Sequence, residues 1–197
     1  MKFHLGAIPE NTDFNPEAEG WAAIREPGPW LIQIIAIPLA LIILILLGGL
    51  LYLVWPSGSA TTSAVLLVGF GLGFIPVHEL LHALFFPEGL RSPHTIIGFW
   101  PTRALFYAHY EHEMSRDRFL VVFLAPFIGL SLIPIALIAL FQWPSLELAF
   151  LSLVNGAAAS GDMIGVLLVG FQIPRGAVVR NKGWRSYWKP NNTQPDT

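Results

Sequence analysis

The sequence predicts an all-α membrane protein: four transmembrane helices, with a β-hairpin-containing loop between the second and third. Three observations carry this. Of 197 residues, 54% are hydrophobic and 12% charged, where a soluble domain carries about a quarter charged residues. Four apolar runs are long enough to cross a bilayer, which takes ~20 residues per helix. All 11 basic residues fall on one side of a four-span arrangement, the side that stays cytoplasmic.

The elements follow in chain order. Residues 1–29 form a cytoplasmic lead-in with five acidic residues and no apolar core, which predicts that it is not a cleaved signal. Asn15-Pro16 followed by Glu17 to Glu26 reads as a short capped helix ending before Pro27, and Trp21 and Ile24 could lay it on the membrane surface. The first span, Trp30–Trp55, has no charge. The second, Thr62–Phe86, is apolar except for His78, Glu79 and His82. Pro76, with Gly71 and Gly73 upstream, predicts a bend just before that triplet. The third, Phe119–Phe141, is uncharged, and the fourth, Leu146–Phe171, carries Glu147 near its start and Asp162 deep inside. Between spans two and three, the β-prone runs 95–100 and 104–109 flank a Pro-Thr turn and read as a hairpin. The tail, 172–197, mixes five basic residues with Trp184, Tyr187 and Trp188. It suits an anionic cytoplasmic leaflet, or packing on the middle loop. The expected protein is therefore multi-pass, in a plasma or inner membrane, with both termini cytoplasmic and a membrane domain over 30–171. With 13 acidic residues against 11 basic, there is no basic face for nucleic acid. Without Cys, the chain has no disulfide and no cysteine nucleophile. No feature specifies an oligomeric state.

The chemistry sits in His78-Glu79-Leu80-Leu81-His82, an HExxH motif. Composition alone produces one in such a chain about 1% of the time. Its place inside a span adds weight, because ionisable groups are costly there. Residues i and i+4 share a helix face, so both imidazoles can reach one metal, and Glu79 beside them can act as general base. Imidazole and carboxylate suit zinc, whose catalytic sites take three protein ligands plus water. Asp162 is the favoured third ligand. Counted from the cytoplasmic ends of their spans, His78, His82 and Asp162 lie roughly 12, 6 and 13 Å deep. His94, His109, Glu111 and His112 of the middle loop are the alternatives. Small residues around Asp162, from Gly156 through Gly161 to Gly165, let helices approach closely. Asn155 is read either as a catalytic group that holds the substrate carbonyl or oxyanion, or as a hydrogen bond between helices. The hairpin offers an edge for an extended peptide, or simply a cap over the site.

HELLH inside a span, followed by Asn155 and Asp162 in another, resembles intramembrane zinc metalloproteases of the site-2 protease type. The stretch Asn155 to Asp162 departs from that family's pattern, since it lacks the Pro and has Gly before the Asp. A closer likeness is to a family of small four-span zincin-type peptidases of unknown function. It rests on Trp21…Arg25-Glu26-Pro27, HELLHA, Ala125-Pro126 and Ser160-Gly161-Asp162. What the resemblance implies is Zn²⁺ at His78, His82 and Asp162, with Glu79 as base. The expected function is a membrane-embedded zinc metallopeptidase that cuts a membrane-associated protein or peptide near the cytoplasmic face. The alternative is a non-catalytic membrane adaptor whose polar cluster is structural.

Overall fold

The structure is a computed structural model that describes residues 1–57 and 59–191; the last six residues of the tail lie outside them. Strand β1 (Lys2–Leu5) and the two-residue strand β2 (Ala22–Ala23) precede the first helix, α1 (Pro29–Val54). Pro29 begins α1, where its missing N–H costs nothing, and no charge interrupts the 26 residues that follow. Ser63 starts α2 (Ala64–Leu84) by accepting from the Leu66 N–H at 3.2 Å. α2 runs through Pro76 as one helix.

Strands β3 (Thr95–Trp100) and β4 (Leu105–Tyr110) form the predicted hairpin within a residue of its expected bounds. Ala104 closes the turn in the left-handed region at φ 47°. Met114–Ser115 is β5, and Ser115 caps α3 (Arg116–Phe127). A π turn, Ile128–Leu132, then leads into α4 (Ile133–Phe141), and together they make one membrane-length helix. Pro134 explains the π turn: it lacks the N–H that would continue the ladder, and its ring crowds the preceding turn. The fourth apolar run is two helices, α5 (Leu146–Ala158) and α6 (Ser160–Gln172), bent by 48° at Ala159. Among the described residues three helices are long and apolar enough to cross a membrane, or four if the bent pair is one span. Much of their surface is large apolar side chains in the open, such as Ile45, Tyr52, Leu53 and Val65, a pattern suited to lipid.

The helices pack as a bundle. α5 contacts both α1 and α2, and α3 contacts α2 and α6. Gly156 lets Leu47 and Ile43 of α1 close on α5, and Gly165 does the same for Phe123 of α3 on α6; a Cβ would collide with Leu47 or Phe123.

Three expectations need correction. The protein is mostly helical but not all-α. It has a three-stranded sheet, β1-β3-β4, and a four-stranded one, β2-β7-β6-β5, in which β6 (Val178–Lys182) and β7 (Arg185–Lys189) come from the tail. The lead-in is not a helix over 17–26: it is a turn followed by β2. Trp21 and Ile24 are buried; Trp21 meets Phe14 edge-on, and Ile24 joins the core beneath the sheets. The fourth apolar run is two helices with a sharp bend between them rather than one continuous helix. The first two miss because short strands earn their place only through partners far along the chain: β1 pairs with β3 in parallel, and β2 with β7. Nothing local in four or two residues encodes such a pairing. The tail packs on the middle loop through β5–β6 pairing, and Arg175 and Arg185 stay exposed.

Candidate functional site

Two helices carry the polar cluster. α2 presents His78, Glu79 and His82 from its last two turns, all buried. Asp162 lies in the first turn of α6, where the helix dipole favours a carboxylate. The bend at Ala159 aims it across the bundle. Asp162 Oδ2 is 3.1 Å from His78 Nε2, its Oδ1 is 3.4 Å from His82 Nε2, and the two Nε2 atoms are 3.2 Å apart.

The hydrogen bonds behind the imidazoles decide what these atoms are. His82 Nδ1 is 2.8 Å from the Val122 carbonyl, which only accepts, so Nδ1 donates and the neutral ring leaves Nε2 bare. His78 Nδ1 is 2.8 Å from Asn155 Oδ1. The Asn155 amide nitrogen donates to the Pro126 carbonyl at 3.0 Å and to Ser131 Oγ at 2.8 Å, so its oxygen must face His78. His78 Nδ1 therefore donates as well, and its Nε2 is bare too. In those neutral tautomers two nitrogen lone pairs face a carboxylate, and the buried Oδ2 of Asp162 has no hydrogen-bond partner. Such a set lacks only a cation. The three ligand atoms lie within 4.8 Å of one another, and among the described residues His78, His82 and Asp162 are the group that could hold a metal ion. Two imidazoles and one carboxylate fit zinc with an open position.

Asn155 is fully buried, and all its bonds are inward: to His78, Pro126 and Ser131. It orients a candidate ligand and has no free group for a substrate oxygen. Asn155→Ala is expected to weaken zinc affinity roughly 10- to 100-fold, read by competition with a chromogenic chelator. Unchanged affinity would remove Asn155 from the site.

The middle-loop alternatives are elsewhere or otherwise occupied. His94 and His112 lie against each other with centroids 3.9 Å apart and rings tilted by 55°, and His94 Nδ1 lies 3.9 Å from Glu111. His109 lines the cavity beside the site, where burial holds its imidazole down to about 4. A folded pKa below the unfolded value means that stability is present above about pH 6.5 and lost as pH falls towards 4. Across that window His109 is expected to cost about 3 kcal/mol. In His109→Phe, thermal melts at pH 6.5 and 4.5 should differ less than in the wild type; an identical pH dependence would refute the assignment.

Arg116 and Arg118 were not foreseen as part of this site. Arg118 donates from Nε to the Phe85 carbonyl at 2.9 Å and from its terminal nitrogen to Phe86 at 3.1 Å. Arg116 donates to Ile173 at 2.9 Å and to Gly170 at 3.2 Å. These two cations close the carbonyl ends of α2 and α6, the helices that carry the cluster. A signal existed in the sequence. Two arginines in the first turn of a helix oppose its own dipole, so they serve neighbours.

The cluster opens into a cavity of about 410 Å³, within the range of small-molecule sites. Glu79, next to the ligand face, lines it. The edge strand β4 forms one wall from Leu105 to His109, α1 another, and the β6–β7 hairpin a third.

Comparison with known proteins agrees with this geometry. Residues 71–178 match the profile of the family described as "Putative zincin peptidase", a stretch that holds the HExxH helix, the hairpin and Asp162. No curated protein and no solved structure matches the chain. Since the match takes in more than half of the sequence, the chain belongs to the "Putative zincin peptidase" family.

Proposed function

We propose that this protein is a membrane-embedded zinc metallopeptidase that hydrolyses peptide bonds of a membrane-associated protein or peptide near the cytoplasmic face. One observation carries the reading. The Nε2 atoms of His78 and His82 and the carboxylate of Asp162 meet at the wall of a cavity, with a second carboxyl group, Glu79, beside them and outside that set. A structural metal site has no use for that extra base.

His78, His82 and Asp162 hold the metal. When bound, zinc supplies Lewis acidity, lowering the pKa of a water and polarising a carbonyl oxygen. Glu79 takes the proton of the attacking water and later gives it to the leaving amine. Asn155 and the Val122 carbonyl hold the imidazoles in the ligating tautomer. The apolar walls, such as Phe106, Phe119 and Phe123, limit bulk water around the reacting groups. The substrate enters extended. β4 is the outer strand of its sheet, and the Ala108 backbone lies against the Glu79 carboxylate, so a peptide that adds to this edge passes the base. Both termini face the cytoplasm, and exposed cations such as Arg175 and Arg185 meet the anionic leaflet.

The test uses the purified chain in lipid nanodiscs with a mass-spectrometric library of membrane-proteome peptides. Zinc-dependent cleavage that a chelator stops and zinc restores is the expected result. A zinc-loaded protein that cuts nothing in the library or in co-reconstituted membrane proteins would point to the adaptor.

A further inference from the structure

The cavity has a second polar feature, contributed by segments that lie outside residues 71–178. Glu26, on the strap between β2 and α1, lines the cavity and accepts two bonds from one residue of β7: the Ser186 N–H at 2.8 Å and its hydroxyl at 3.0 Å. Asn181 of β6 is the direct cross-strand partner of Ser186, so their side chains share a face of the hairpin. Asn181 also lines the cavity, and its Oδ1 is buried without a hydrogen-bond partner. Beside them stands Trp184, whose indole N–H is tied to the Pro27 carbonyl at 2.8 Å.

The set is acceptor-rich and lacks a cation. Among the described residues none forms an ion pair with Glu26. The hairpin's own cations are turned elsewhere: Arg180 to the Glu111 carbonyl and the Phe14 ring, Lys182 to the Phe14 carbonyl, Lys189 to Glu113 and Trp21. Arg185 is exposed and acts on Glu26 only at a distance. Burial accordingly pushes the Glu26 carboxyl up to about 7, against the pull of its Ser186 bonds and Arg185. A carboxylate, an amide oxygen without a donor and a fixed indole are the groups that recognise an organic cation.

We propose that Glu26, Asn181 and Trp184 form a subsite for a positively charged group of the substrate, an ammonium or guanidinium, held in the same cavity as the reacting bond. This rests on the peptidase reading for its meaning, but its binding step does not need catalysis. The charge could come from a Lys or Arg side chain or from a free amino terminus; both bring the same donors and the same sign.

The experiment measures binding to the full chain in nanodiscs with three probes. N-acetyl-arginine methylamide carries a side-chain cation, leucine methylamide a terminal ammonium, and N-acetyl-norleucine methylamide neither. At least one cationic probe is expected to bind roughly tenfold more tightly than the neutral one, and whichever does so identifies the source of the charge. Glu26→Gln, which keeps an acceptor for Ser186, should cut the preference to about twofold or less, while Glu79→Gln should leave it intact. Asn181→Leu gives an independent reading if the Glu26 variant does not fold, and should reduce the preference at least about threefold. Equal binding of all three probes overturns the proposal, as does a preference that survives Glu26→Gln or Asn181→Leu. If the peptidase reading alone is wrong, the cation preference persists in a protein that cleaves nothing.

Discussion

Glu79→Gln is expected to abolish detectable peptide cleavage while zinc stays bound. Glu79 lines the cavity and is almost fully buried, yet it is not among the three residues whose ligand atoms converge. Glutamine has the same shape and still accepts a hydrogen bond, so neither the packing of α2 nor the ligands should move. It cannot carry the proton between water and leaving amine. Loss of a positioned base costs on the order of 10²–10⁴-fold in rate. The check pairs two measurements on one preparation: zinc per chain by elemental mass spectrometry, and cleavage of the peptide library. Retained cleavage would sink the mechanism. Lost zinc would place Glu79 among the ligands instead.

The second large effect concerns the metal itself. Asp162→Ala should remove the roughly one zinc per chain expected of a three-ligand site, whereas His112→Ala should keep it. His78 and His82 would remain, but their two nitrogens come from one helix, and Asp162 is the member of the cluster that α6 supplies. Zinc that binds the folded state alone also stabilises it. A chelator should therefore lower the melting temperature of the wild type and of His112→Ala, and leave Asp162→Ala unaffected. Full zinc occupancy in Asp162→Ala would move the third ligand elsewhere.

Asp162 also shows how far a sequence reading reaches. Depth along the spans brought it level with the two histidines, because membrane helices rise by a constant 1.5 Å per residue and share the same boundaries. The same ruler treats the fourth apolar run, with both Asn155 and Asp162 in it, as straight. The structure bends the chain by 48° between them. Both residues still reach the histidines, Asn155 from behind His78 and Asp162 from in front. Which of the two readings of Asn155 holds could not be settled by spacing. It depends on Ser131 and the Pro126 carbonyl, which come from another helix and claim the amide nitrogen.

The sequence by itself determined the apolar runs, the HExxH face and the hairpin of the middle loop. Each is written in neighbours a few residues apart: long apolar runs, an i, i+4 repeat, and β-prone runs around a Pro-Thr turn. Only the tertiary structure decided that the lead-in and tail become strands of two sheets, that Arg116 and Arg118 close the helices bearing the polar cluster, and that Glu26 meets Ser186 on the wall of the same cavity. Those contacts join residues tens to more than a hundred positions apart, and a short polar segment reads alike whether it meets water or a distant partner. Its structure is set by what the fold brings against it, and local pattern carries no record of that.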